Sequence, residues 1–203
     1  IRGAVAPHAV YTTNPGLLRR CRALADELGF RFGLHLSETV GETQACLAAH
    51  GLRPPEYCRS LGILRDDTTL FHMVDADDAD LDVVASCGCA IVHNPASNMK
   101  LASGVAPIAK MLARGISVSI GTDGPASNNA QNLFRDMHLA SLLQKVERRD
   151  PLQLPAQTAL DLATRGGAAA LHEPDIGSLE PGKQADFIAL DLTEPNLQPV
   201  HNI

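Results

Sequence analysis

The sequence predicts an α/β protein, a parallel sheet wrapped by helices, and three observations carry that prediction. Apolar runs of strand length alternate with helical stretches. The helical stretches are punctuated by capping residues and glycines. The apolar runs are near-continuous, as in strands covered on both faces.

Taken in order, the first strand spans residues 3–7 and lies inside an opening run, Ile1-Arg2-Gly3-Ala4-Val5-Ala6, that already has strand character. Asn14 can cap a helix with Pro15 at its first position and Gly29 as its stop. The second strand covers 30–36, and a helix over 41–50 ends near Gly51. The third strand is 69–74; a helix then starts around 78–80, where carboxylates suit the positive helix N-terminus, and stops at Gly88. The fourth strand is 90–93, a helix follows over 105–113 before Gly115, and the fifth strand is 116–121. Beyond Gly121 the pattern changes to two long helices, 132–146 and 155–171, the second rich in Ala and Leu. A turn-rich segment, 176–186, then leads into an alternating strand at 187–192, which reads as a small β unit; the boundary falls at 171–176. Five strand–helix units do not close an eight-stranded barrel, which needs ~200–250 residues or more. They suit the last five units of one, or an open doubly wound sheet, and periodicity does not separate these two.

The bulk composition narrows the function classes. The chain has 203 residues, is 45% hydrophobic and only 3% aromatic, so its core is built from Ala, Leu, Val and Ile. Acidic residues outnumber basic ones 23 to 17, a net charge of -6, which argues against nucleic acid or an anionic membrane as partner. Without a long apolar run or a signal pattern, a cytoplasmic protein is expected. The cysteines (Cys21, Cys46, Cys58, Cys87, Cys89) are odd in number and scattered, so they read as reduced, buried small residues. The chain opens on Ile1 rather than Met, and its last residues, 199–203, bring no closing element, so an internal piece of a longer polypeptide is expected.

The polar residues follow a rule of position. Each strand finishes in an ionisable residue: His8, His35, His72, His93, and Asp123 just past the last. In parallel barrels the C-terminal strand ends converge on one mouth, where active sites lie. One such histidine is ordinary, but a series at successive ends points to a shared site. Imidazole and carboxylate are the ligands of zinc and similar divalent ions, and a catalytic site keeps one position for water. Glu38, three residues after His35, is near enough to move that water's proton; it reads equally as a solvated carboxylate of a helix first turn. Asp123 lies between Gly121-Thr122 and Gly124, where an ordinary Asp-Gly turn is the plain alternative, and His93 in His93-Asn94-Pro95 can be purely structural. His50, His138, His172 and His201 lie off the series, and the chain has neither a nucleophile elbow nor a phosphate loop.

Five segments carry a family likeness: 6–12 (APHAVYT), 35–39 (HLSET), 71–73 (FHM), 93–104 (HNPASNMKLASG) and 121–129 (GTDGPASNN). Together they resemble the amidohydrolase superfamily, above all its 5-methylthioadenosine/S-adenosylhomocysteine deaminases and their triazine-hydrolase relatives; segment 176–192 is similar to that family's return to its small β-sandwich. The resemblance implies a partial (β/α)8 barrel, about strands four to eight, over residues 1–172, and the start of a sandwich over 173–203. It implies one divalent metal ion, zinc first and iron or another divalent ion second, with His35 and Asp123 as metal residues. Glu38 matches the proton shuttle that touches substrate, His72 the histidine beside the attacking water, and His8 a substrate-binding histidine. The reaction implied is deamination of an adenine-type nucleoside with release of ammonia. A triazine hydrolase or guanine-type deaminase is the alternative, as is an inactive fragment acting as a structural module. The family's His-x-His at the end of strand one has no counterpart here, so these 203 residues alone are expected to be inactive. A small-molecule partner is expected, and a homo-oligomer is in keeping with the family.

Overall fold

The computed structural model describes residues 3–198; the opening dipeptide and the closing segment 199–203 of the sequence, with His201, lie outside them. Five strands form one parallel sheet: β1 (Ala4–Val5), β2 (Arg31–Leu36), β3 (Thr68–His72), β4 (Ala90–His93) and β5 (Val118–Ile120). Their spatial order is β1-β2-β3-β4-β5, the order of the chain. A doubly wound sheet reverses direction at its switch point, so this unreversed order is the arc of a barrel.

Ten helices accompany the sheet among the described residues: α1 (Pro15–Leu28), α2 (Val40–His50), α3 (Pro54–Ser60), α4 (Asp78–Cys87), α5 (Pro95–Lys100), α6 (Ile108–Ala113), α7 (Pro125–Asn128), α8 (Leu133–Arg148), α9 (Ala156–Ala163) and α10 (Arg165–Ala170). The punctuation of the sequence is where the first helices start and stop. The Asn14 side chain accepts from Leu17 N and Gly29 closes α1 in the left-handed conformation. Thr39 caps α2, and Asp77 and Asp80 form a reciprocal capping box on α4.

Segment 54–60 adds an element outside the expected ones, and two expectations after it need correction. Segment 54–60, with two prolines, is helical, because Pro54 and Pro55 fall in the first turn, where the missing N–H is no loss. The single helix expected over 155–171 is two, parted at Thr164, whose ψ of -81° breaks the helical run. The strand expected at 187–192 is absent among the described residues, and Phe187 and Ile188 stand exposed. The polar turn after β4 also winds into α5, and the segment after Gly124 into α7.

The core lies between the sheet and the helices. Phe32, Leu34 and Leu36 of β2, Leu70 of β3 and Ile91 of β4 are fully buried against Leu18, Ala25, Leu81, Val84, Ile108 and Met111. Each of these side chains larger than Ala contributes roughly 1.5–3 kcal/mol by leaving water. The other face of the sheet carries Ala6, Gly33, Thr69, Phe71, Val92 and Ser119, mostly small side chains with one aromatic ring, around a cavity of about 400 Å³ whose wall is completed by α10. The register sets His35 beside Phe71, Phe71 beside Val92 and Val92 beside Ser119, and the isolated bridge from Ala9 to His35 extends the same row. The C-terminal strand ends therefore finish level. Among the described residues no helix is long and apolar enough to cross a membrane.

Candidate metal and catalytic site

At that level end, backbone geometry departs from the ordinary. His8, Ser37, His72, Met73 and Asp123 all have positive φ, between 49° and 79°. Each non-glycine in that region costs free energy, and such residues gather where function over-determines the backbone. In β3 the effect is plain. Phe71 faces the inner row, so strict alternation would send His72 outward, and its φ of 77° turns it back toward the mouth.

The result is a cluster of donors. His35, His72 and Asp123 each offer an atom within 4.8 Å of the others, a set that could hold a metal ion. His35 Nδ1 and His72 Nε2 are 3.0 Å apart. The Asn98 carbonyl oxygen can only accept, so His72 donates its Nδ1–H to Asn98 at 2.8 Å, and in the neutral ring Nε2 is left as a lone pair. A lone pair aimed at a second imidazole nitrogen and at a carboxylate suits a cation between them. The electrostatics agree. Burial first, then the neighbouring His72, push His35 down to about 4, so its ring is neutral near pH 7 and able to ligate. Burial would raise Asp123, but the hydroxyls of Ser97 and Ser127, donating to Oδ2 at 2.6 and 2.8 Å, hold its carboxyl below the usual range. Two imidazoles and one carboxylate match the roughly three protein ligands of a catalytic zinc.

Glu38 stands at the edge of this cluster, its Oε2 3.8 Å from His72 Nε2, with the Ser103 hydroxyl donating to Oε1 at 3.4 Å. His8 lies over the mouth with its ring centroid 5.2 Å from that of His35, and its Nδ1 is 2.8 Å from the Thr12 hydroxyl. The structure therefore brings together His8, His35, Glu38, His72 and Asp123. His93 is not part of the open group. Val92 before it faces the inner row, so His93 points the other way, is 1% exposed, and has no hydrogen-bond partner on either ring nitrogen among the described residues. Desolvation, with His72 adding to it, lowers its pKa to about 3.

The supporting residues were not singled out from the sequence. Ser97 and Asn98 lie on α5 and Ser127 on α7, within segments whose general likeness was visible but whose individual hydrogen bonds were not. Asp136 of α8 is fully buried and accepts from Ala96 N and Asn128 Nδ2, which in turn donates to Thr122 O, tying α5 to the turn that bears Asp123. Glu42 of α2, also buried, is pushed up to about 7, chiefly by desolvation. Only the short polar side chain at every turn of these segments signals such a network.

The pattern described as the amidohydrolase family matches residues 1–203. The 5-methylthioadenosine/S-adenosylhomocysteine deaminase of Nitratidesulfovibrio vulgaris (strain DSM 19637 / Miyazaki F) is 55% identical over 202 residues, which cover 100% of this chain and 46% of that protein. An adenosine deaminase from Xanthomonas campestris, crystallised with bound zinc, superposes with a TM-score of 0.92 at 41% identity over 98% of this chain and 45% of that one. The atrazine chlorohydrolase of Arthrobacter aurescens TC1, complexed with zinc, gives 0.88 at 31% identity over 97% of this chain and 44% of its own. The chain thus spans less than half the length of the relatives it matches.

Proposed function

The chain belongs to the amidohydrolase family, and on that premise we propose that it serves the hydrolytic deamination of an adenine-type nucleoside. The substrate is 5-methylthioadenosine, S-adenosylhomocysteine or adenosine; water replaces the exocyclic amine, ammonia leaves, and the inosine analogue remains. The observation that carries this reading is the carboxylate of Glu38 poised 3.8 Å from His72 at the edge of the His35, His72 and Asp123 donor set. Replacing an amine on a heterocycle needs a group that can take a proton from water and give it to a ring nitrogen, and Glu38 is the carboxylate so placed.

In this reading His35 and Asp123 would hold one divalent ion, zinc by the chemistry of the donor set, leaving the Nε2 lone pair of His72 for the water. The ion supplies Lewis acidity that makes water a nucleophile near neutral pH. His72, kept in one tautomer by Asn98, orients the water between itself and Glu38. Glu38 accepts the water's first proton and passes it to the ring nitrogen next to the amine-bearing carbon as the oxygen adds there; the proton of the added hydroxyl then moves by way of Glu38 to the amine, the C–N bond breaks as the C=O forms, and ammonia leaves. His8, at the rim and braced by Thr12, contacts the substrate.

The test is Glu38→Gln, which keeps shape and removes the proton carrier. It is expected to lower kcat by roughly 100-fold or more while zinc content is retained. Ammonia release at the wild-type rate would overturn the reading. A panel of adenine nucleosides, guanine and a chlorotriazine, followed by ultraviolet absorbance, separates the proposed substrate class from the other reactions of the family.

A further inference from the structure

Glu42 is the feature that the proposed chemistry leaves unused. It lies in the first turn of α2, four residues after Glu38, is 5% exposed, and its carboxylate points out of the helix past the Thr39 cap. Its two oxygens accept from two successive backbone amides: Oε1 from Ser37 N–H at 3.0 Å and Oε2 from Glu38 N–H at 2.8 Å. A carboxylate at a helix start is ordinary when exposed, where it complements the helix dipole. A buried one is costly unless its oxygens are satisfied, and here both are spent on the turn that carries Glu38.

That turn needs holding. Ser37 is fully buried with a φ of 50°, a conformation that favours glycine, and its hydroxyl has no partner among the described residues. The far side of the same peptide is gripped as well, because Ser37 C=O accepts from Asp75 N–H at 2.8 Å. The peptide linking Ser37 to Glu38 is therefore held at its carbonyl by the loop after β3 and at its N–H by Glu42. Its orientation sets where the Glu38 side chain leaves the backbone.

We propose that Glu42 is a positioning residue, which clamps the strained Ser37–Glu38 peptide and so aims the Glu38 carboxylate at the His35, His72 and Asp123 cluster. As far as catalysis is concerned this rests on the deaminase reading; the clamp itself does not. A misplacement of about 1 Å at a reacting group costs on the order of 100-fold in rate, which sets the scale of the effect.

The test uses Glu42→Gln in the zinc-loaded protein translated from the whole reading frame that carries these residues. Gln keeps one acceptor and turns an NH2 toward the second amide. Hydrogen exchange at the Ser37 and Glu38 amides is expected to speed up by about tenfold or more, kcat to fall by roughly 10- to 100-fold, and KM, zinc content and melting midpoint to stay near wild type. Adding Ser37→Gly, which adopts the positive φ without strain, is expected to recover about fivefold of the lost kcat. The proposal is overturned if E42Q leaves both amides protected. It is also overturned if zinc content and melting midpoint fall along with kcat, or if Ser37→Gly recovers nothing. An inactive wild type would instead contradict the deaminase reading, and the exchange rates of the two amides would still decide the clamp.

Discussion

At the residue scale, the strand-end histidines divide by a rule that the sequence could not display. His8, His35 and His72 face the mouth while His93 is sealed in the interior, and the divider is backbone φ: β3 twists His72 inward, whereas β4 lets His93 follow strict alternation outward. A buried histidine without partners is neutral when folded and takes up a proton on unfolding. With its pKa lowered from 6.5 to about 3, the folded state gains nothing from protonation. The stability it contributes is present above 6.5 and is lost as pH falls toward 3. In urea titrations of chelator-treated protein, His93→Gln is expected to flatten the fall in stability between about pH 6 and 4.5 by ~1.4 kcal/mol per pH unit, one proton's worth. Parallel pH profiles for the two proteins would assign the acid sensitivity elsewhere. His35, also lowered, adds to the slope, while Glu42, raised to about 7, works against it, since it binds its proton more tightly in the folded state. The comparison of wild type with a single variant isolates His93 from both.

At the element scale, what was legible was local and what was not depended on tertiary contact. Asn14, Pro15 and Gly29 mark α1 because capping is a bargain struck within a few residues. The break at Thr164 carries no such signal; it exists because α10 turns in against the sheet. Gly166 comes so close to β5 that a Cβ there would lie 2.4 Å from the Val118 carbonyl oxygen, a backbone atom that cannot step aside. Gly166→Ala is accordingly expected to destabilise the protein by about 1–3 kcal/mol in equilibrium unfolding, despite the higher helix propensity of Ala; a neutral or stabilising result would show that the contact is slack. The alternation of 187–192 misled for the same reason in reverse: the pattern suits a half-buried strand, but no partner strand pairs with it among the described residues. In the site, His35, His72, Asp123 and Glu38 could be named from strand ends and family likeness. Ser97, Asn98, Ser127 and Glu42 could not, because a supporting hydrogen bond depends on which loops meet in space.

At the scale of the whole molecule, five parallel strands in chain order form an arc whose outer face is closed by helices and whose inner face lines a cavity of about 400 Å³. The arc's C-terminal edge gathers two imidazoles and a carboxylate in reach of one ion, with a second carboxylate beside them. The chemistry proposed for this edge is metal-dependent deamination. The direct measurement is ammonia release from 5-methylthioadenosine by protein translated from the whole reading frame, before chelation, after chelation, and after zinc is restored. Release is expected to stop with chelator and to return with about one zinc per chain, accompanied by conversion of the adenine absorbance to that of hypoxanthine. Ammonia release that is indifferent to chelator, or a zinc-loaded protein that leaves every adenine nucleoside intact, would contradict it.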